Sequence, residues 1–192
     1  MRCGCHDMRG ISRRGVIAGL ACTAILPVAS QAAPATVPAA PAPATEAVPS
    51  AADDERFMRM AIDEARRADF PFGAVIVRDG RVIARGRNLG RRTGDPTAHG
   101  EMVAIRRCIA SRGRTALRGT TLYTSGEPCA MCMGAILWCR IDRLVFAASV
   151  DQLATKISQI MISSADVAAK ATFAPIQITG GVLADEAMKL FP

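Results

Sequence analysis

The residues able to do metal chemistry fall in two short stretches. Outside the first 33 residues the chain has a single histidine, His99, in Pro96-Thr-Ala-His-Gly-Glu101. Further along comes Glu127-Pro-Cys-Ala-Met-Cys132. One imidazole nitrogen and two sulfurs suit zinc and leave a fourth position for water. Cys129 and Cys132 are three residues apart, so at the start of a helix both sulfurs point to one side and can reach one ion. A helix N-terminus also favours the thiolate form. A structural zinc would need a fourth protein ligand. Cys108 and Cys139 are available, but both read as buried thiols at core positions on helices. Glu101, two residues after His99, is placed to carry protons. A carboxylate there can take a proton from water and return it to a leaving nitrogen.

These side chains need elements to hold them. Asp53 to Asp69 has apolar residues at helical spacing, with Asp53 or Asp54 as the N-cap and Pro71 closing the helix. Gly73–Val77 and Arg81–Ala84 flank Asp79-Gly80 and read as a β-hairpin. Leu89 to Pro96 reads as a loop. Thr97–Ala110 is expected to be a helix and Thr120–Thr124 a strand. Pro128–Trp138 follows as a helix with Pro128 in its first turn. Arg143–Ala148 and Pro175–Thr179 are expected strands. Asp151–Lys170 makes one or two short helices, and Leu183–Phe191 a terminal one. A hairpin followed by alternating strands and helices implies a three-layer α/β/α domain around a central mixed β-sheet.

Composition bounds the remaining choices. The chain has 192 residues, half of them apolar, which excludes global disorder. No apolar run reaches the roughly 18–20 residues needed to span a bilayer. Seven cysteines are too sparse for a disulfide scaffold. The net charge of +7 is inflated by Arg2, Arg9, Arg13 and Arg14, so it argues weakly for a polyanion partner. Residues 1–33 show a basic stretch ending in Ser12-Arg13-Arg14, an apolar run from Gly15 to Ala29, then small residues. That order is expected of a cleaved export signal, and the paired arginines of the twin-arginine type, giving a periplasmic protein without a membrane anchor. Residues 34–52, rich in Ala and Pro, read as an extended linker, leaving the domain at 53–192.

His99-x-Glu101 followed by Pro128-Cys-x-x-Cys132 is the signature of zinc deaminases. From Asp53 to Phe191 the chain resembles the cytidine-deaminase-like zinc hydrolases, in the branch of bacterial guanine deaminases and tRNA adenosine deaminases. The stretches that carry the resemblance are Pro71–Val77, Asn88, Asp95–His99 and Thr124–Trp138. It implies zinc on His99, Cys129 and Cys132, with Glu101 as the proton shuttle. It further implies Asn88 on the purine ring, Phe72 and Trp138 lining the base pocket, and a homodimer. Two departures stand out. Gly100 replaces the usual alanine, costs roughly 1 kcal/mol of helix stability, and is expected to open space in the site. Residues 151–162 carry one acid, Asp151, where guanine deaminases place acidic residues that move protons.

The leading expectation is zinc-dependent hydrolytic deamination of a small purine-type nucleobase or nucleoside. tRNA adenosine deamination is the first alternative, and a non-catalytic zinc-stabilised binding module the second. Nucleic acid is not expected as a partner. The arginines between Arg78 and Arg118 read as a solvated face, with phosphate recognition open at Arg85, Arg87, Arg91 or Arg92.

Overall fold

The structure is a computed structural model that describes residues 50–192. The expected export signal, and the expected linker up to residue 49, lie outside the described residues. Helix α1 (Ala51–Ala65) begins earlier than the periodicity suggests, because Ser50 caps it by accepting the Asp53 N–H at 3.2 Å. Asp54, a candidate cap, is instead buried and takes both guanidinium nitrogens of Arg143 at 2.7 Å. Tyr123 donates to the same carboxylate at 2.8 Å. This charged, fully paired contact ties α1 to the sheet.

Strands β1 (Gly73–Arg78) and β2 (Arg81–Arg87) form the expected hairpin. Asp79 and Gly80 both have positive φ (50° and 68°), as a two-residue primed turn requires. A short helix, α2 (Gly90–Thr93), occupies the expected loop. Helix α3 (Gly100–Arg112) starts three residues later than Thr97, with His99 as its N-cap. Strand β3 (Thr121–Gly126) leads into α4 (Ala130–Trp138). Cys129 is the N-cap of α4, so Pro128 precedes the cap and does not lie in the first turn. Strand β4 (Arg143–Ala148) is as expected. The ambiguous stretch resolves into two helices, α5 (Val150–Ala154) and α6 (Ser164–Ala169). Strand β5 (Gln177–Thr179) and α7 (Ala184–Met188) complete the chain.

The sheet order is β2-β1-β3-β4-β5. β1 is antiparallel to both neighbours, while β3, β4 and β5 run parallel. Alternate residues of each strand face opposite layers. Ala74, Ile76, Leu122 and Leu144 pack with Ile105 and Met133 on one side. Val75, Tyr123 and Val145 pack with Phe57, Ile62 and Phe191 on the other. The expected three-layer arrangement around a mixed sheet is therefore present. Among the described residues no helix is long and apolar enough to cross a membrane.

One contact matters for the site. A Cβ on Gly86 would lie 2.1 Å from the Gly100 carbonyl oxygen and 2.4 Å from the Ala104 nitrogen. The bare backbone of β2 thus lets α3 press against it, which sets where α3 begins.

Candidate active site

Two helix starts converge. His99 caps α3, and Cys129 caps α4, with Cys132 one turn on. Neither capping side chain bonds its own helix, so both are free to face each other. The two sulfurs each lie 3.6 Å from His99 Nδ1. All three ligand atoms fall within 4.8 Å of one another. A nitrogen and two sulfurs in that space, at two positive helix ends, fit a zinc ion.

Charge within the cluster supports this. The Cys129 thiol is pulled down to about 4, first by the hydrogen bond from Cys132 and further by His99. Its partner Cys132 is pushed up, by that same hydrogen bond and by burial. The Cys129 sulfur raises His99 above its usual range, with burial opposing. One sulfur of the metal-free pair therefore already carries the charge that zinc requires.

Glu101 lies in the first turn of α3 and is 2% exposed. Its Oε1 accepts from the Thr124 hydroxyl at 3.3 Å. Its Oε2 is buried with no protein partner. Burial pushes the carboxyl above the ordinary carboxylate range, and the negative Cys129 reinforces this while His99 opposes it. A carboxyl of raised proton affinity, with one free oxygen beside the metal ligands, suits proton transfer.

A cavity of about 390 Å³ opens onto the cluster, lined by Phe72, Asn88, His99, Cys129, Met131 and Gln159, among others. Phe72 is parallel to the His99 ring, at 5° and 6.5 Å between centroids. Gly126 makes room for it, since a Cβ there would come 2.7 Å from Phe72 Cε1. Asn88 turns its Oδ1 back to accept the Gly90 N–H at 3.0 Å. A larger cavity, about 660 Å³, lies by the hairpin turn and Arg143, away from these groups. None of the unpartnered buried polar atoms among the described residues lines it.

The expected site residues thus come together, with one exception. Trp138 does not line this pocket. It ends α4, six residues beyond Cys132, where it is 76% exposed and stacks on Phe173 at 4.6 Å. The rise along a helix carries it away from the N-terminal end that faces the metal. Gly100 also has a different role from the one expected. A Cβ there would meet the Phe72 carbonyl oxygen at 2.8 Å, so this glycine serves close packing against the start of β1 and opens no space in the site. Of the four arginines considered for phosphate, Arg87 pairs with Glu64, Arg92 with Asp69, and Arg85 donates to Met60 Sδ. Cys108 is buried and Cys139 half-buried, both as thiols in the core.

Motif reasoning missed Gln159, Ile157, Met131 and Glu127 as builders of the pocket. Glu127 sits inside the quoted Glu-Pro-Cys stretch. Its two oxygens accept the Val150 and Ser164 N–H groups, at 2.8 and 2.6 Å. No local pattern announces those long-range partners.

Comparison with known proteins agrees with this geometry. The family model of the cytidine and deoxycytidylate deaminase zinc-binding region matches residues 51–148. A tRNA-specific adenosine deaminase of Haemophilus influenzae is 41% identical over 138 residues, covering 69% of this chain and 78% of that protein. A guanine deaminase of Bacillus subtilis is 51% identical over 78 residues, covering 41% of this chain and 50% of that protein. Among solved structures, one from work on A-to-I editing by tRNA:A34 deaminases superimposes with a TM-score of 0.62 at 35% identity. It covers 71% of this chain and 99% of that one. The chain spans half the length of the Bacillus subtilis relative, and 8% of a chloroplastic tRNA(adenine(34)) deaminase of Arabidopsis thaliana. Likeness to tRNA-acting proteins runs against the expectation that nucleic acid plays no part. The matched region holds the whole metal cluster together with Glu101, and the chain belongs to the cytidine and deoxycytidylate deaminase zinc-binding family.

Proposed function

We propose that this protein is a zinc-dependent hydrolytic deaminase acting on a purine-type nucleobase or nucleoside. The observation that carries the reading is the buried Glu101 carboxyl, with Oε2 unpartnered beside the His99, Cys129 and Cys132 ligand set. His99, Cys129 and Cys132 would hold the zinc ion, which when bound would supply a Lewis acid able to lower the pKa of water. Every other task falls to the chain. Phe72 and His99 offer parallel faces for a flat ring. Asn88, its oxygen already engaged, presents an amide N–H to the base. Glu101 takes a proton from the water whose oxygen adds to the ring carbon bearing the amine. It passes that proton to the ring nitrogen. It then carries the second water proton to the amine, which leaves as ammonia while the ring carbon becomes a carbonyl. A carboxyl whose proton affinity is raised can serve all of these transfers.

The test is Glu101→Gln, which keeps size but cannot accept a proton. Ammonia release should fall by about 10²–10⁴ or more, with zinc content and melting temperature unchanged. Loss of zinc along with activity would move Glu101 into the ligand set. Full activity with zinc intact would end the assignment of Glu101 as the proton carrier.

A second reading is tRNA adenosine deamination, favoured by the 41% identity to the Haemophilus influenzae protein. Inosine formation in a tRNA transcript, without ammonia release from free bases or nucleosides, would select it. We further propose a homodimer, supported by the exposed Trp138–Phe173 stack and by Ile109. A single-chain mass by analytical ultracentrifugation would overturn that. Export by the twin-arginine route to the periplasm is supported by the Arg13-Arg14 pair and the apolar run after it.

A further inference from the structure

Two amide side chains reach the pocket from different parts of the chain. Asn88 follows β2, and Gln159 lies between α5 and α6; both line the cavity with Phe72 and His99. The orientation of Asn88 is set, because only its oxygen can accept the Gly90 N–H, so Nδ2 is left to donate. Gln159 Nε2 is buried and has no hydrogen-bond partner among the described residues. Folding a donor into a wall without a partner is costly, and such a group calls for a ligand or another explanation.

The segment carrying Gln159 is held at both ends. Glu127, 4% exposed, accepts the N–H of Val150, the first residue of α5, at 2.8 Å. Its other oxygen accepts the N–H of Ser164, the first residue of α6, at 2.6 Å. A carboxylate between two helix starts is well stabilised. Ser149 and Ser163 cap the same two helices. Between these ends Ile157 packs against the core that holds Phe57 and Phe72. Glu127 is two residues before Cys129, so one clamp joins the metal-holding turn to the segment that bears Gln159.

We propose that Gln159 is a substrate-binding residue of this pocket, donating a hydrogen bond from Nε2 to an acceptor nitrogen of the substrate base. This rests on the deaminase reading and adds a contact to that site. Purine bases offer unprotonated ring nitrogens, N3 and N7 among them, that accept. A donor buried in the wall is satisfied by such an acceptor and left unpaired by an analogue that lacks it, which discriminates strongly.

The experiment uses the zinc-loaded protein with adenine, adenosine, guanine and guanosine, comparing wild type, Gln159→Leu and Gln159→Glu. Gln159→Leu should raise KM for the base or nucleoside that wild type turns over by about tenfold with kcat little changed, since Glu101 and the metal ligands are untouched. Gln159→Glu, which accepts where the amide donated, should raise it as well. An unaltered KM in Gln159→Leu overturns the proposal. If no free base or nucleoside is turned over, the small-molecule reading fails on its own. Equilibrium dialysis with unsubstituted purine then decides Gln159 separately: weaker binding in Gln159→Leu supports it, and an unchanged Kd overturns it.

Discussion

At the scale of single residues, the site rests on an asymmetry between two cysteines. Cys129, pulled down to about 4, is a thiolate at neutral pH in the metal-free protein, whereas Cys132 is pushed up and keeps its proton. Zinc binds thiolates, so uptake must expel the Cys132 proton. The proton is bound in the metal-free state and absent in the zinc-bound one, so affinity rises with pH. We expect a gain of about tenfold per pH unit for each proton expelled, read by competition with a chromophoric chelator across neutral pH. An affinity independent of pH would contradict this assignment. Cys132→Ala should lose zinc and lower the melting temperature together, because binding energy at such a site is folding energy. Near-stoichiometric zinc in that variant would show that Cys132 is not a ligand. The ligand set and Glu101 were legible in the sequence because short spacing on a helix start fixes direction. Trp138 was not, since spacing alone does not tell which end of α4 faces the pocket.

At the scale of elements, the decisive contact is α3 against the hairpin. His99 caps this helix and Glu101 lies in its first turn, so the placement of α3 is the placement of the chemistry. Gly86 admits the helix backbone to within a distance that no side chain allows. Gly86→Ala should therefore destabilise the fold by about 1–3 kcal/mol or more. The clashing atoms are backbone and cannot swing aside, so α3 must move. Activity should fall beyond what the loss of folded protein explains, measured as kcat on the fraction that remains folded at low temperature. Unchanged stability would mean that the helix has slack. The hairpin, β4 and the alternation of strands with helices were readable from local pattern. Helix starts shifted by two or three residues, because Ser50, His99 and Cys129 are the residues that cap them. The split of residues 151–170 into α5 and α6 depends on Glu127, which is distant in sequence.

At the scale of the whole molecule, the described domain is preceded by a segment whose order of basic, apolar and small residues we propose to be an export address. Replacing Arg13 and Arg14 together with Lys should retain the protein in the cytoplasm, because the guanidinium pair is the recognised feature. Fractionation of expressing cells reads this directly, and normal periplasmic recovery of the double variant would refute the route. Export of a folded protein fits the metal site. Zinc can load where Cys129 and Cys132 stay reduced, and metallated thiolates then resist oxidation outside.

By itself the sequence determined the metal cluster, the carboxyl placed beside it, the layered fold and the family, since each depends on residues close together in the chain. Ligand spacing, strand alternation and a two-residue turn are local constraints with few solutions. The tertiary structure alone decided what surrounds the substrate. Gln159 comes to line the same cavity as Asn88 across some seventy residues of chain. Glu127 holds the Gln159 segment in place through two backbone N–H groups, and Gly86 sets the depth of α3. Such contacts are selected by packing and by the cost of unpaired buried polar groups, and neither leaves a periodic trace in the order of residues.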